Sequence, residues 1–292
     1  MEYNKPTEVV SQMISAGINK SNLSYKDLFI RGVLSGGLLG IGTSLAFTGI
    51  VQTGLGIVGA LLFPACFVIV IILGLELVTG SFAVLPVACY DKQIRFSDML
   101  KNLAVVYTGN LVGGLFYAFL FWISITNFGH TPDSPLATAI IKAAEGKTLH
   151  YAQFGIDGTL TAFTKAILCN WMVTTAVVMA FASNSATGKI LGAWIPILIF
   201  FAQGYEHAVV NMFLIPAGIM LGAKISIADW WIYNQIPVTL GNVVGGALFT
   251  GLALYITYRI KKSKKGKIPD AWHEQDQNSG ITLEQVQSGA VN

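Results

Sequence analysis

The side chains best able to do chemistry in this sequence lie inside its apolar stretches. Glu206, His207 and Asn211 interrupt an apolar run over residues 191–221, directly after Gly204. Ionisable groups are costly in hydrocarbon, and inside a membrane they usually face a protein interior or a water-filled path. A buried histidine that only satisfies its neighbours is the alternative interpretation. At this depth we favour a polar site that takes part in transport.

The composition indicates a membrane protein. Of the 292 residues, 53% are hydrophobic and 11% are charged, whereas soluble domains carry about 25% charged residues. Residues 1–19 have no apolar core, so we expect no cleaved signal peptide. Cys66, Cys89 and Cys169 lie in or beside apolar runs without metal-ligand spacing. We therefore expect packing cysteines, no metal and no cofactor.

Six apolar stretches are long enough to cross a bilayer, for which a helix needs about 20 residues. An amphipathic helix over residues 7–20 precedes them, and we expect it to lie at the membrane surface. The second and fifth stretches exceed one span and contain polar residues, so each is predicted to be a broken helix that lines a cavity. The predicted spans are 29–51, 56–90, 103–125, 159–182, 191–221 and 235–258, with a polar loop over 127–158.

The distribution of charge predicts the topology. Six spans place both termini on one side, and with the termini inside most Lys and Arg residues are cytoplasmic, as the positive-inside rule requires. We predict a multi-pass protein of the cell membrane. Its expected partner is the lipid bilayer, and we expect no binding of nucleic acid. The predicted parts are a cytoplasmic N-terminal helix (1–28), a transmembrane channel domain (29–258) and a basic, polar cytoplasmic tail (259–292).

An internal repeat relates the two halves of the chain. Gly-Asn-Leu-Val-Gly-Gly at 109–114 in the third span returns as Gly-Asn-Val-Val-Gly-Gly at 241–246 in the sixth, and Glu76 matches Glu206. Because each half has three spans, an odd number, the second half enters the membrane from the opposite side. The two broken helices then meet near the midplane. The predicted fold class is an all-α membrane protein with six transmembrane helices in two inverted three-helix repeats.

Five motifs together resemble the formate/nitrite transporter family, over residues 7–259. They are Leu-Val-Thr-Gly at 77–80, Tyr-x-Gly-Asn at 107–110, Cys-Asn-Trp-Met-Val at 169–173, Gly-Tyr-Glu-His at 204–207 and Asn-Met-Phe at 211–213, the last followed by Pro216. The resemblance implies an aquaporin-like protomer and a homopentamer with one pore in each protomer. It also implies transport of small monovalent weak-acid anions, with formate the first candidate and nitrite and hydrosulfide the alternatives.

The resemblance also implies the roles of individual residues. His207, Thr79 and Asn170 would line the centre of the pore, and Lys147, or else Lys165, would attract anions in the outer vestibule. An outer constriction would consist of Phe63, Phe67 and Phe200, and an inner one of Leu77, Val78 and Val173. Glu76, Glu206 and Asn211 would be structural at the helix breaks, with Glu206 accepting hydrogen bonds from backbone donors.

An anion cannot pass apolar constrictions cheaply, so a weak acid is expected to cross as the neutral molecule. His207 suits this chemistry because the ordinary pKa of histidine is about 6.5. It could supply the proton, or it could stay neutral and only donate a hydrogen bond; the sequence leaves both versions open. A neutral-solute channel of the aquaporin type is less favoured because no Asn-Pro-Ala motif is present. No nucleophile or cofactor motif indicates an enzyme.

Overall fold

The computed structural model describes residues 3–259, and these are almost entirely helical. The predicted tail, apart from Arg259, lies outside the described residues. The first half of the chain contains α1 (Pro6–Ser21), α2 (Tyr25–Thr53), α3 (Gly56–Leu62), α4 (Pro64–Ile72), α5 (Val78–Tyr90) and α6 (Phe96–Thr126). The second half contains α7 (Pro135–Gly146), α8 (Leu149–Gln153), α9 (Gly155–Ala182), α10 (Ala186–Ala202) and α11 (Ala208–Met220), followed by a last long helix.

The last helix runs from Ile227 to Tyr258 and is not a regular α-helix throughout. It consists of α12 (Ile227–Trp230), α13 (Ile236–Val244) and α14 (Ala253–Tyr258), joined by π-helical turns at Trp231–Gln235 and Gly245–Leu252. π-Helical turns are uncommon and often occur at functional sites. The first of them turns both Asn234 and Gln235 into the protein interior.

The prediction of six spans, two of them broken, is confirmed. Within residues 3–259, four helices are long and apolar enough to cross a membrane: Tyr25–Thr53, Phe96–Thr126, Gly155–Ala182 and Ile227–Tyr258. The shorter apolar helices form two consecutive pairs, Gly56–Ile72 with Val78–Tyr90 and Ala186–Ala202 with Ala208–Met220. Each pair is one span interrupted near its middle. The observed helices begin up to eight residues before the predicted spans, because polar first turns extend beyond the apolar cores.

One predicted segment differs from the structure. The polar loop over 127–158 is largely helical, because Ser134 caps α7 and the apolar face of α7 packs Ile140 and Ala144 into the core.

The amphipathic helix predicted over residues 7–20 is α1, and its apolar face packs against protein. Met13 is fully buried in a cluster with Ala83 and Val87 of α5, so the apolar face of α1 meets α5.

Close helix contacts surround the repeated glycine motifs. A Cβ atom at Gly36 of α2 would collide with the backbone of Asn110, and one at Gly113 of α6 would collide with the backbone of Val33. In the second half, a Cβ atom at Gly245 would collide with the backbone of α9 at Ile167. Small residues let membrane helices approach this closely. The two contacts are equivalent in the two repeats, and they bring the neighbouring asparagines against the broken helices.

Candidate functional site

The two breaks have nearly the same backbone conformation. α4 and α10 each end in a glycine with left-handed backbone, Gly74 at φ 61° and Gly204 at φ 64°. Such a residue ends a helix, and glycine adopts the conformation without strain. The residues before α5 and α11 are both extended, Leu77 at φ −114° and His207 at φ −117°. One sequence feature, a glycine four residues before the first residue of the new helix, therefore builds both breaks.

The asparagine of each repeated motif ties its break to a neighbouring helix. Asn110 Oδ1 accepts a hydrogen bond from the Val78 amide at 2.9 Å, and its Nδ2 donates to the Glu76 carbonyl at 2.9 Å. Asn242 does the same for the other break, with the Ala208 amide at 2.9 Å and the Glu206 carbonyl at 3.0 Å. Buried backbone groups need such partners. The sequence predicted the inverted repeat from this motif but no role for its two asparagines, although their repetition is the signal.

His207 and Thr79 meet between the two breaks. The Thr79 Oγ1 atom lies 3.0 Å from His207 Nε2, and both residues are buried. His207 Nδ1 accepts a hydrogen bond from the Val210 amide at 3.1 Å. The accepting Nδ1 carries no proton, so the ring is neutral and Nε2 donates its hydrogen to Thr79. The hydroxyl hydrogen of Thr79 is then free to bind an anion.

Asn170 lies beside this pair and binds backbone carbonyl groups. Its Nδ2 donates to the carbonyl oxygens of Thr79 and Asn242, at 3.1 and 2.6 Å. Both N–H groups are used, so Asn170 has no donor left to orient an anion. Its Oδ1 atom is buried and has no partner among the described residues. What Asn170 offers is therefore an acceptor.

Aromatic rings cover one side of the histidine. Phe200 stacks on the His207 ring with the ring centroids 5.6 Å apart, and Phe63 meets Phe200 edge-on at 5.7 Å. Phe201 stacks on Phe63 in turn, at 4.5 Å. These rings form a closed apolar layer next to the Thr79–His207 pair.

Phe67 lies one helical turn after Phe63, closer to the break, and it lines a cavity together with Leu77. The residues of both predicted constrictions belong to one buried cluster: Phe63, Phe67, Leu77, Val78, Val173 and Phe200. Their division into an outer and an inner constriction stays a prediction.

The carboxylate of Glu206 belongs to the second break, directly before His207 in the chain. Its oxygens meet Lys147 Nζ at 2.9 Å, the Tyr151 hydroxyl at 2.8 Å and Asn211 Nδ2 at 2.8 Å. All these donors are side chains, so the expectation of backbone donors is wrong. A buried charge needs such pairing. Lys165 instead lies over the Tyr151 ring, 5.6 Å from its centroid. Of the two candidate lysines, Lys147 is the one that reaches the break.

Lys20 makes the matching contact at the first break and was missed by the sequence reasoning. Its Nζ atom lies 2.6 Å from Glu76 Oε2, and the Glu76 side chain is only 3% exposed. The sequence reasoning counted Lys20 only as a topology charge, because it lies in α1 and far from Glu76 along the chain. Each break therefore carries one buried glutamate and one lysine from a neighbouring segment.

An inverted pair of broken helices that meet at a buried histidine defines a channel-type membrane protomer. Comparison with known proteins shows to which family of membrane proteins the chain belongs. A family model described as formate/nitrite transporter matches residues 7–256. The chain belongs to this family, whose members are channels and transporters rather than enzymes.

Named relatives cover nearly the whole chain. The formate channel BtFdhC of Bacillus thuringiensis is 32% identical over 271 residues, which are 90% of this chain and 99% of that one. An uncharacterized transporter of Bacillus subtilis, YrhG, is 35% identical over 274 residues, 91% of this chain and 98% of that one.

Two solved structures have the same fold. An FNT family ion channel, 26% identical, has a TM-score of 0.72 and covers 86% of this chain and 98% of its own. A pentameric formate channel with formate bound, also 26% identical, has a TM-score of 0.66 and covers 80% and 97%. The fold predicted from the internal repeat is therefore confirmed, including its aquaporin-like protomer.

Proposed function

We propose that this protein carries small monovalent weak-acid anions across the cell membrane, formate above all, and that passage is coupled to protonation at His207. The relatives named as formate channels support this substrate. The observation that carries the proposal is the buried pair of Thr79 and His207, 3.0 Å apart between two apolar layers. Nitrite is the second candidate, because the family description names it.

The apolar layers require that the anion lose its charge. An isolated carboxylate is very costly to bury, and a buried acid takes up a proton instead. Formate is a weak acid and can do this, whereas the anion of a strong acid cannot. A site that first attracts the anion and then favours its neutral form therefore selects weak acids.

The hydrogen bonds of His207 support a definite order of events. With Nδ1 occupied by the Val210 amide, the ring is neutral while the site is empty. A second proton can bind at Nδ1 only when this bond breaks, so the imidazolium needs an anion beside Thr79 to stabilise it. The arriving anion accepts a hydrogen bond from the Thr79 hydroxyl, and His207 Nδ1 takes up a proton from water on the side from which the anion came. The Thr79 hydroxyl proton then passes to the anion while the Nε2 proton replaces it on Thr79 Oγ1, which leaves His207 neutral again with its hydrogen on Nδ1. The neutral acid then leaves through the apolar layer.

The substitution His207→Asn tests this coupling. Asparagine keeps a polar group of similar size but cannot titrate near neutral pH. We expect formate uptake by proteoliposomes to lose most of its pH dependence and to generate an electrical current, because the charged anion now passes. Wild-type flux should rise as the pH falls and should carry no net current.

His150→Asn is the matched control, because His150 is exposed and lies outside the spans; its pH profile should equal that of wild type. His207→Phe removes the polar group altogether, and it should abolish flux. If His207→Asn keeps the wild-type pH profile and proton coupling, the histidine is only a neutral hydrogen-bond donor, and protonation occurs elsewhere.

We also propose an orientation of the chain in the membrane and an oligomeric state. Both described ends of the chain lie at one end of the bundle, where Val9 of α1, Tyr90 of α5 and Tyr255 of α14 share one cluster. The excess of Lys and Arg in this part supports cytoplasmic termini. A homopentamer is supported by the similar structure described as a pentameric formate channel.

A further inference from the structure

A cavity of about 600 Å³ opens at the end of the bundle that carries the described termini. The first break, α5 and the start of α10 contribute to its wall. Three cations line it, Lys20, Arg31 and Lys189, against the single carboxylate of Glu76. Within residues 3–259, Arg31 and Lys189 form no ion pair. The cavity is therefore electropositive.

One face of α5 reaches into this cavity. Leu77, Gly80, Ser81 and Val84 all line it, and their spacing places them on one side of the helix. The Ser81 hydroxyl is buried, with the residue 1% exposed, and it has no hydrogen-bond partner among the described residues. A buried hydroxyl without a partner is costly. The position therefore suits a ligand that accepts a hydrogen bond.

The backbone beside Ser81 offers further donors. The Val78 amide is bonded to Asn110, and the Ser81 amide to the Leu77 carbonyl. The amides of Thr79 and Gly80, between them, have no acceptor in the described part of the chain. First-turn amides point out along the helix axis and carry its partial positive charge. Two amides and a hydroxyl near the start of this thirteen-residue helix are thus unpaired, and of their residues Gly80 and Ser81 line the cavity.

The inverted repeat provides an internal comparison, because α11 fills the corresponding positions differently. There the residue before the helix is His207, whose ring accepts a hydrogen bond from Val210, the counterpart of Gly80. Leu77 replaces that histidine in the first half and cannot accept a hydrogen bond. Asn211, the counterpart of Ser81, donates to Glu206 and Asn234. The donors of Val210 and Asn211 are therefore satisfied in α11, whereas those of their counterparts Gly80 and Ser81 are free in α5.

From this asymmetry we propose that the first turn of α5 is a separate anion-binding subsite for a small carboxylate, formed by the Ser81 hydroxyl and the Gly80 amide. Lys20, Arg31 and Lys189 raise the anion concentration in the cavity. The subsite loads the anion before it reaches Thr79, whose side chain faces His207. The inference rests on the proposed function for its substrate, but the binding itself does not require transport.

The experiment measures binding and transport separately, with sodium formate as the probe. Binding to the purified full-length protein in detergent is followed by saturation-transfer NMR, and flux by uptake into vesicles of known orientation. For Ser81→Ala we expect the half-saturating formate concentration to rise three- to tenfold in the NMR titration. The same rise should appear in flux when formate enters from the cavity side, while the maximal rate stays within twofold of wild type. Ser81→Thr keeps the hydroxyl and should stay within twofold in both measurements.

Ser15→Ala, at an exposed position of α1, is the matched control and should change neither measurement. Arg31→Gln and Lys189→Gln leave α5 unchanged and provide an independent test if Ser81→Ala does not fold. Each should raise the half-saturating concentration two- to threefold, and less at high salt because salt screens exposed charges.

An unchanged half-saturating formate concentration in Ser81→Ala, or in both Arg31→Gln and Lys189→Gln, would overturn the subsite while leaving the proposed function intact. An equal defect in Ser81→Thr would show that the hydroxyl is not the ligand. Ser81-dependent binding in a wild-type protein that does not transport formate would instead retain the subsite and contradict the proposed function.

Discussion

Thr79 and Asn170 offer opposite hydrogen-bonding groups at the centre of the protein. The Thr79 hydroxyl has a free hydrogen to donate, because its oxygen accepts from His207, whereas Asn170 keeps only a free acceptor. A carboxylate can use the donor but not the acceptor. A protonated carboxylic acid carries both an O–H donor and a carbonyl acceptor, so it can use both. At the scale of single residues, the site therefore suits a substrate that gains a proton there.

Phe200 is predicted to restrict the size of the substrate. Its ring lies between His207 and Phe63, so Phe200→Ala should open the apolar layer and either raise formate flux or admit larger acids such as lactate. The measurement is uptake of acids of increasing size, together with gel filtration to show that the protein is folded. Phe96→Ala, at an exposed position, is the control. Unchanged flux and unchanged size selectivity would mean that Phe200 only fills the core.

At the scale of helices, the same break serves two purposes because different residues cap it. Gly74 and Gly204 end the first half-helices in the same way, and Asn110 and Asn242 hold the second half-helices in place. The repeat thus fixes the backbone in both halves. The residue before the second half-helix then decides the chemistry: Leu77 leaves the amides of α5 free, and His207 caps α11 and presents Nε2 to Thr79.

Removing one of the two asparagines should destabilise the protein more than it changes the substrate. Asn242→Ala leaves the Ala208 amide and the Glu206 carbonyl buried without a partner, at a cost of about 1–3 kcal/mol each. We expect Tm in detergent to fall by about 5–10 °C. Thr108→Ala, at an exposed position of α6, is the control and should stay within 2 °C, a bound of about 0.5 kcal/mol for a surface change. An unchanged Tm would show that water replaces the asparagine.

At the scale of the whole molecule, apolar side chains remain exposed on the first and third spans. Leu34 and Ile41 lie on α2, and Phe116 and Phe119 on α6, each more than 40% exposed. Large apolar surfaces of this kind contact lipid or another subunit. The two helices pack against each other through Gly36 and Gly113, so their outward faces form one continuous surface.

We expect five copies to assemble through this surface, with much of the contact made by α2 and α6. Native mass measurement in detergent should give about five times the 31.3 kDa chain mass. Leu34→Arg should weaken the assembly, whereas Leu100→Arg, exposed near the start of α6, should not. A stable monomer or dimer for wild type would contradict the expectation.

The sequence by itself determined the architecture, because hydrocarbon limits what a chain can do inside a membrane. Apolar length set the number of spans, and buried polar residues after glycine marked the two breaks at Glu76 and Glu206. The repeated Gly-Asn motif then indicated the inverted symmetry. The resemblance added His207 and Thr79 as neighbours, and in the structure they are hydrogen-bonded.

Tertiary structure alone decided which groups remain free. Lys20 reaches Glu76 from a helix that the sequence predicted to lie on the membrane surface. Asn170 uses both of its N–H groups on carbonyls that come from distant helices. Hydrogen bonds between distant segments depend on helix packing and on which donors have already been satisfied. Residue type and spacing do not carry that information, so the free donors of Ser81 and the free acceptor of Asn170 appear only in the folded chain.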